Sequence, residues 1–168
     1  MVKNIMWYLL TPVFVLLDLS ATIISCLFIN WWAPLFSDDK GYLPNWLAWI
    51  QTFDDTLDAG MRDGLYSKDN VYWARVCWLY RNPAYGFSYW ALGCKFDATQ
   101  WTIHDNVDGH FYATSTDGRF NLLLVAYGIK IKIGWKAYNM YSQFNQKWNT
   151  WPWGPEFRVP FVFSISLA

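Results

Sequence analysis

Residues 5–29 read IMWYLLTPVFVLLDLSATIISCLFI, an apolar run that only two threonines, two serines and one aspartate interrupt. At 1.5 Å per residue, a helix of this length is about 37 Å long. That length crosses the roughly 30 Å hydrocarbon core of a bilayer with some tilt. We therefore predict an N-terminal membrane helix within residues 1–36. Pro34 is expected to end this helix, and Pro12 either kinks it or marks its start.

The polar residues of the run share one side of the predicted helix. They recur every seven residues, with one more a turn later, and fall within a stripe about 60° wide. Because an intramembrane carboxylate faces protein or water rather than lipid, this stripe predicts a packing seam against a second copy or another membrane helix. Two alternatives remain, a protonated Asp18 that the membrane tolerates and a helix that lies flat on the membrane surface. The seam residues are Asn4, Thr11, Asp18, Thr22 and Ser25.

Aromatic residues lie near both ends of the run, where the membrane meets water. Rings with one polar edge favour that region. A cleaved signal peptide is disfavoured because the run is too long, contains a carboxylate and lacks a small-x-small cleavage site. Orientation does not follow from charge, because Lys3 precedes the run and Lys40 follows it. The predicted interfacial aromatics are Trp7, Tyr8, Trp31 and Trp32.

The composition of the 168 residues narrows the class of protein. Thirteen basic and thirteen acidic side chains leave no net charge, so we predict no nucleic-acid partner, because phosphate binding needs a basic surface. Apolar residues make up 54% and charged residues 15%, against about 25% charged in soluble domains. The predicted partners are a lipid bilayer and another membrane helix or a second copy. Cys77 and Cys94, the candidates for a disulfide outside the run, are typical of buried thiols.

Residues 37–168 are predicted to form a single compact α+β domain, with helices over about 43–82. Pro44 is expected to open the first helix, whose apolar face repeats at helical spacing and which ends near Gly60. Asp69 or Asn70 caps a second helix over residues 71–80, which Asn82-Pro83 ends. An ordered turn is expected over residues 81–86. The apolar face of the first helix consists of Trp46, Ile50, Phe53 and Leu57.

Three carboxylates, Asp54, Asp55 and Asp58, crowd the expected last turn of the first helix. The helix dipole disfavours negative charge there. We interpret them as a solvated loop. The alternative is a cluster that binds a cation or an arginine, for which charge alone makes Arg81 a candidate partner.

Strands are predicted over residues 87–168. Asp117-Gly118 is a hairpin signal between residues 110–115 and 120–126. Alternation of isoleucine and lysine over residues 129–133 indicates a strand with one wet face, and Gly128 marks a turn or bulge before it. Residues 148–155 are expected to be a loop, and residues 157–167 a last strand. Hairpin-length connections predict an antiparallel meander of about five strands, and helices before strands indicate an α+β fold.

Catalytic and metal-binding motifs are absent from the sequence in any specific form. His104 and His110 flank Asp105 and Asp108 in a turn-rich stretch, but zinc needs three or four converging ligands. No phosphate loop, nucleophile elbow or Cys-x-x-Cys occurs. We therefore predict no cofactor and no metal, and an enzyme is the less favoured class.

Several motifs together resemble a family of small uncharacterised proteins of tailed bacteriophages and prophages. Residues 41–54, GYLPNWLAWIQTFD, match the family stretch GxLPxWLxWFQT with its following Asp. Residues 81–87 match RNPAYGF, and residues 134–136 match GWK before a Phe-rich last strand. Ile50 departs from the more frequent Phe, and residues 53–55 from Pro-Asp-Asn. The motif residues are Pro44, Trp46, Trp49, Gln51, Asp54, Arg81, Asn82, Pro83, Tyr85, Gly86, Gly134, Trp135 and Lys136.

The resemblance implies a phage source and no activity, because the family is a domain of unknown function. We expect a non-enzymatic membrane-associated protein that acts by protein contact at the host inner membrane, as in host takeover, superinfection exclusion or defence evasion. One alternative is a virion component packed in a tail or capsid or ejected with the genome. A second is a small membrane-bound hydrolase that uses His104 or His110.

Overall fold

The structure, a computed structural model, describes residues 2–136 and 158–168, with side chains from Ile5 onward. The predicted α+β class is confirmed, with one long N-terminal helix, short helices and an antiparallel sheet. The helices are α1 (Val2–Ile24), α2 (Ala59–Arg62), α3 (Val71–Arg81) and α4 (Tyr85–Trp90), with 3-10 turns at Ala33–Phe36, Asn45–Leu47 and Ala98–Gln100. The strands are β1 (Cys94–Lys95), β2 (Trp101–Val107), β3 (His110–Ser115), β4 (Phe120–Ala126), β5 (Ile129–Trp135), β6 (Arg158–Val159) and β7 (Phe161–Leu167).

The main sheet has the order β2-β3-β4-β5-β7 with every pair antiparallel, which is the predicted five-stranded meander. Gly118 has a φ of 91° in the β3–β4 turn, as the Asp-Gly signal indicated. Tyr127 and Gly128 both have positive φ in the β4–β5 turn, a pattern typical of a tight hairpin. The predicted loop at residues 148–155 lies outside the described residues.

Helix α1 begins ten residues before Pro12, so this proline does not mark its start. The helix continues as a π-helical turn over Ser25–Ile29 and ends at Asn30, before Pro34. The buried Asn30 side chain accepts a hydrogen bond from Ser25 Oγ (2.5 Å) and donates one to Leu79 O (3.2 Å). This side-chain bridge ties the end of the helix to α3.

The helix predicted from Pro44 to Gly60 is wrong. The segment forms 3-10 turns, in which for instance the Ile50 amide donates to Leu47 O, three residues back. The fully buried Gln51 accepts from the Leu43 amide (2.8 Å) and donates to Asp55 O (3.0 Å). These two bonds hold the turns in place of an α-helical ladder. Of the predicted apolar face, Ile50, Phe53 and Leu57 are buried, whereas Trp46 is exposed.

Helix α3 confirms the prediction over residues 71–80, and Asn70 is its cap, accepting from the Trp73 amide at 3.0 Å. The ordered turn expected at residues 81–86 is shorter, because α4 begins at Tyr85. A Cβ at Gly86 would lie 2.3 Å from Ala48 O. Glycine therefore lets α4 pack directly on the 3-10 turns.

Two hydrophobic cores lie along α1. The first half of the helix packs through Trp7, Phe14 and Val15 against the sheet core, which is centred on Trp135 and Phe161. The end of α1 packs through Ile29 against a second core, built from the 3-10 turns, α2 and α3. One face of the helix therefore packs against both hydrophobic cores of the body. The second core consists of Ala33, Leu43, Leu47, Ile50, Leu57, Ala59, Trp78 and Leu79.

Candidate functional site: the N-terminal helix and the cavity beside it

Helix α1 has a continuous exposed apolar face on the side away from the body. Leu9, Leu16 and Leu27 are 71%, 65% and 64% exposed and lie on one line of the helix. The structure describes one helix, Ile5–Ile29, that is long and apolar enough to cross a membrane, with a mean hydropathy of 2.2. Only 11% of its most apolar window is buried, unlike the core helix of a soluble protein. The apolar face comprises Ile5, Met6, Leu9, Val13, Leu16, Leu17, Ile23, Ile24, Leu27, Phe28 and Trp31, continued by Leu35 and Phe36.

The opposite side of α1 contacts the body from one end to the other. At the start, Trp7 Nε1 donates to Asp117 O (3.0 Å). In the middle, the Phe14 ring lies 5.8 Å from Trp135 and 5.6 Å from Phe161. At the end, Tyr80 Oη donates to Cys26 O (2.9 Å). The body therefore flanks the whole apolar helix.

The predicted packing seam lies on this body-facing side. Thr11 and Ser25 are buried, and Asp18 and Thr22 are half-buried. Thr11 donates back to Trp7 O within the helix (2.8 Å). The described part of the polar stripe thus lies against the chain's own body, which buries Thr11 and Ser25 and half-buries Asp18 and Thr22. The side chain of Asn4 lies outside the described residues.

The predicted interfacial aromatics divide between the two faces. Trp7 and Trp32 pack into the body, and Trp32 also stacks on the exposed Trp46 (6.2 Å). Tyr8 and Trp31 are exposed, although the Tyr8 ring also stacks on Phe120 at 4.6 Å. Only part of this set is therefore free to meet a membrane.

A cavity of about 330 Å³ opens where α1, the α3–α4 corner and strands β5 and β7 meet. Helix α1 supplies Asp18, Leu19 and Thr22 to its wall. Because Leu19 is also exposed on the helix surface, the mouth of the cavity lies at the edge of the apolar face. The remaining lining residues are Arg81, Asn82, Pro83, Tyr85, Ser88, Lys132, Lys136, Phe161, Val162, Phe163 and Ser164.

The cavity holds more positive than negative charge. Arg81, Lys132 and Lys136 face one carboxylate, Asp18, and no ion pair within 4.0 Å joins these four described side chains to one another. The Lys136 ammonium lies 4.4 Å from the centre of the Tyr85 ring. Burial lowers the pKa of Lys136 to about 8, and the charge of Asp54 partly opposes this. Burial also lowers the pKa of Lys132, with a smaller contribution from Lys130.

Two of the three carboxylates at residues 54–58 bind arginines, which is the alternative to the solvated loop that we preferred, although the arginines are Arg62 and Arg75 and not the candidate Arg81. Asp58 accepts two hydrogen bonds from the Arg75 guanidinium (2.6 and 2.9 Å). Asp55 pairs with Arg62 at 2.5 Å. Arg75, which lies within α3, ties that helix to the loop. The only sequence feature that points to Arg75 is that it is a single charge in an apolar helix.

The two histidines occupy the β2–β3 hairpin and have separate partners. His110 Nδ1 lies 2.5 Å from Asp105 Oδ2, and His104 Nε2 lies 2.6 Å from Thr114 Oγ1. Within residues 2–136 and 158–168, no group of three or more His, Cys, Asp or Glu side chains could hold a metal ion. Cys77 and Cys94 are free thiols, as is Cys26. The His104–Thr114 contact is exposed and lies outside the residues that line the cavity.

The family-motif residues divide into structural and cavity-lining sets. Pro44 precedes the 3-10 turn that exposes Trp46, and Trp49 packs edge-on to Phe87. Gly134 lies so close to β4 that a Cβ would be 2.2 Å from Phe120 O. The buried Trp135 donates to Leu92 O (3.1 Å). The cavity set is Arg81, Asn82, Pro83, Tyr85 and Lys136.

Sequence reasoning missed the cavity because its walls are far apart in the chain. It singled out Asp18 and Thr22 on one wall and Arg81 to Tyr85 on another without placing them together. Lys132 is predicted on the solvent-facing side of a strand, and no sequence pattern indicates that Ser88 or Leu19 lines a cavity.

Comparison with known proteins gives one match. A model described as a family of unknown function, DUF7338, matches residues 3–168. No curated protein matches the chain, and no solved structure matches it.

Proposed function

The chain belongs to the DUF7338 family, whose function is unknown, and we propose that it is a non-enzymatic bacteriophage protein that lies on the host inner membrane and acts there by protein contact. One observation carries the membrane part of this proposal. The apolar helix α1 is covered by the body along one side and exposes a row of large apolar side chains along the other.

The position of the body favours a helix that lies in the membrane surface over one that spans it. If α1 crossed a bilayer, the cavity beside Asp18 would lie near the bilayer centre, with Arg81, Lys132 and Lys136 in hydrocarbon. Charges at that depth are costly, and sheet edges exposed to lipid do not occur there. A helix in the surface plane instead buries only its apolar face. The body then remains in water.

The phage and host setting is supported by the resemblance of the sequence motifs to tailed-phage and prophage proteins. Action by contact is supported by the content of those motifs, which are rich in aromatic and glycine residues that serve packing. The histidine partners in the β2–β3 hairpin give no support to the hydrolase alternative.

Vesicle flotation of the purified chain tests membrane binding. Leu16→Glu places a charge on the apolar face and should weaken binding about 100-fold, since a charge in the bilayer costs several kcal/mol. Val107→Glu is the matched control, because Val107 is 62% exposed but lies at the far end of β2, and it should bind as the wild type does.

Failure of the wild type to float would refute membrane binding. If the chain were then found in purified virions, the virion-component alternative would replace the proposal. The contact part is tested by capture of the tagged chain from detergent extracts of expressing cells. A host membrane protein should be recovered with the wild type and Val107→Glu and lost with Leu16→Glu.

A further inference from the structure

The cavity between α1, the α3–α4 corner and strands β5 and β7 has the charge of an anion site. Three cationic side chains and one carboxylate line a space of about 330 Å³ without pairing with one another, and the charge of Asp54 outside the lining also acts on Lys136. Cations that share a cavity repel one another unless an anion lies between them. We propose that this cavity binds a phosphate group, held by Arg81 and Lys136.

The two cations are placed for complementary roles. Arg81 is exposed at the rim of the cavity, where its guanidinium can bind two phosphate oxygens at once. The Lys136 ammonium is partly buried against the Tyr85 ring, so it is poorly hydrated and gains more from an anion than a surface lysine does. Lys132 adds a third positive charge from the neighbouring strand.

The position of the cavity favours a phospholipid headgroup over free phosphate. This step rests on the proposed membrane function. Leu19 belongs to both the cavity wall and the exposed surface of α1, so acyl chains could follow the apolar face while the phosphate enters the cavity. The Asp18 carboxylate opposes the charge of the phosphate, which the three cations outweigh, and it can accept hydrogen bonds from the hydroxyls or ammonium of a headgroup.

Native mass spectrometry of the full chain in detergent, with defined lipids added, tests the proposal. The chain should retain one phosphatidylglycerol and should not retain diacylglycerol, which has the same chains without phosphate. The double variant Arg81→Gln/Lys136→Gln should retain phosphatidylglycerol at least about tenfold more weakly. Lys40→Gln/Lys68→Gln removes two exposed lysines outside the cavity and should behave as the wild type.

Arg81→Gln alone serves as a second variant, because this exposed side chain can be replaced without disturbing the core. Competition with inorganic phosphate then separates the two sources of the group. Displacement of the lipid would identify a site for free phosphate, and retention would identify a headgroup site, and both results support phosphate binding. Equal retention of diacylglycerol, or undiminished retention by both cavity variants, would overturn the proposal.

The two proposals fail in distinguishable ways. Flotation of the double variant on vesicles of phosphatidylcholine alone measures membrane binding through the apolar face of α1, because this variant lacks the two cations proposed to hold the phosphate. If the double variant floats and also retains phosphatidylglycerol as strongly as the wild type does, the cavity site is refuted and the membrane proposal stands.

Discussion

The two sides of α1 have similar amino acids and opposite surroundings. Neighbouring residues such as Val13 and Phe14 are both apolar, yet Val13 is 48% exposed and Phe14 packs among Trp7, Trp135 and Phe161. The polar stripe falls on the covered side, where Thr11 and Ser25 are buried, and Ser20 lies outside this stripe and is exposed. In a soluble protein the polar side would face water. The reversed arrangement indicates that one side of the helix is built for protein and the other for an apolar environment.

Phe14→Ala should have the largest effect on folding. Loss of its ring contacts should lower the free energy of unfolding in detergent by about 3 kcal/mol, while the affinity for vesicles stays unchanged. Chemical denaturation followed by circular dichroism measures the first quantity and flotation the second.

Val13→Ala is the matched variant on the other side of the helix. It should change the free energy of unfolding by no more than about 0.5 kcal/mol and weaken vesicle binding about fivefold, because apolar surface is lost from lipid. Equal effects of Phe14→Ala and Val13→Ala on the free energy of unfolding would contradict the assignment of a covered and an exposed side to α1.

Asn30→Ala tests the polar end of the covered side. This fully buried amide joins α1 to Leu79 O and to Ser25, so its loss should lower the free energy of unfolding by about 2 kcal/mol. Ser20→Ala is the control. Ser20 is exposed and donates only to Leu16 O within the helix, so this variant should unfold like the wild type. A similar loss in both variants would contradict the assignment of the two sides.

The last expected effect is a dependence of stability on pH. Because burial lowers the pKa of Lys136 to about 8 from about 10.4 in the unfolded chain, the unfolded chain binds more protons between these values. The free energy of unfolding should therefore rise with pH from about 8 to about 10.4. Lys136→Met should reduce that rise without abolishing it, because burial also lowers the pKa of Lys132. Thermal melts at several pH values measure it, and identical pH profiles of the two proteins would exclude a buried Lys136.

The parts of this fold that could be predicted are those set by residues close together in the sequence. The apolar run, the Asp117-Gly118 turn and the isoleucine alternation in β5 each depend on neighbouring residues, and their elements formed as predicted. The helix predicted over residues 44–58 does not form. The buried side-chain amide of Gln51 instead makes hydrogen bonds that stabilise 3-10 turns in this segment.

The packing seam of α1 shows what the periodicity of a sequence cannot predict. The spacing of its residues predicts a stripe but does not say what covers it, since any packed surface satisfies the same pattern. The cavity required Asp18, Arg81 and Lys136 to meet across the fold, which no local pattern reports.

The depth of α1 in a bilayer is the most direct test of the proposal. Spin labels at positions 9, 16 and 27, in a chain whose three cysteines are replaced by alanine, lie on one line of the helix. A helix in the surface plane predicts nearly equal depths for all three labels by paramagnetic accessibility. A spanning helix would place the label at position 16 about 10 Å deeper than the other two, and that result would contradict a surface-bound helix.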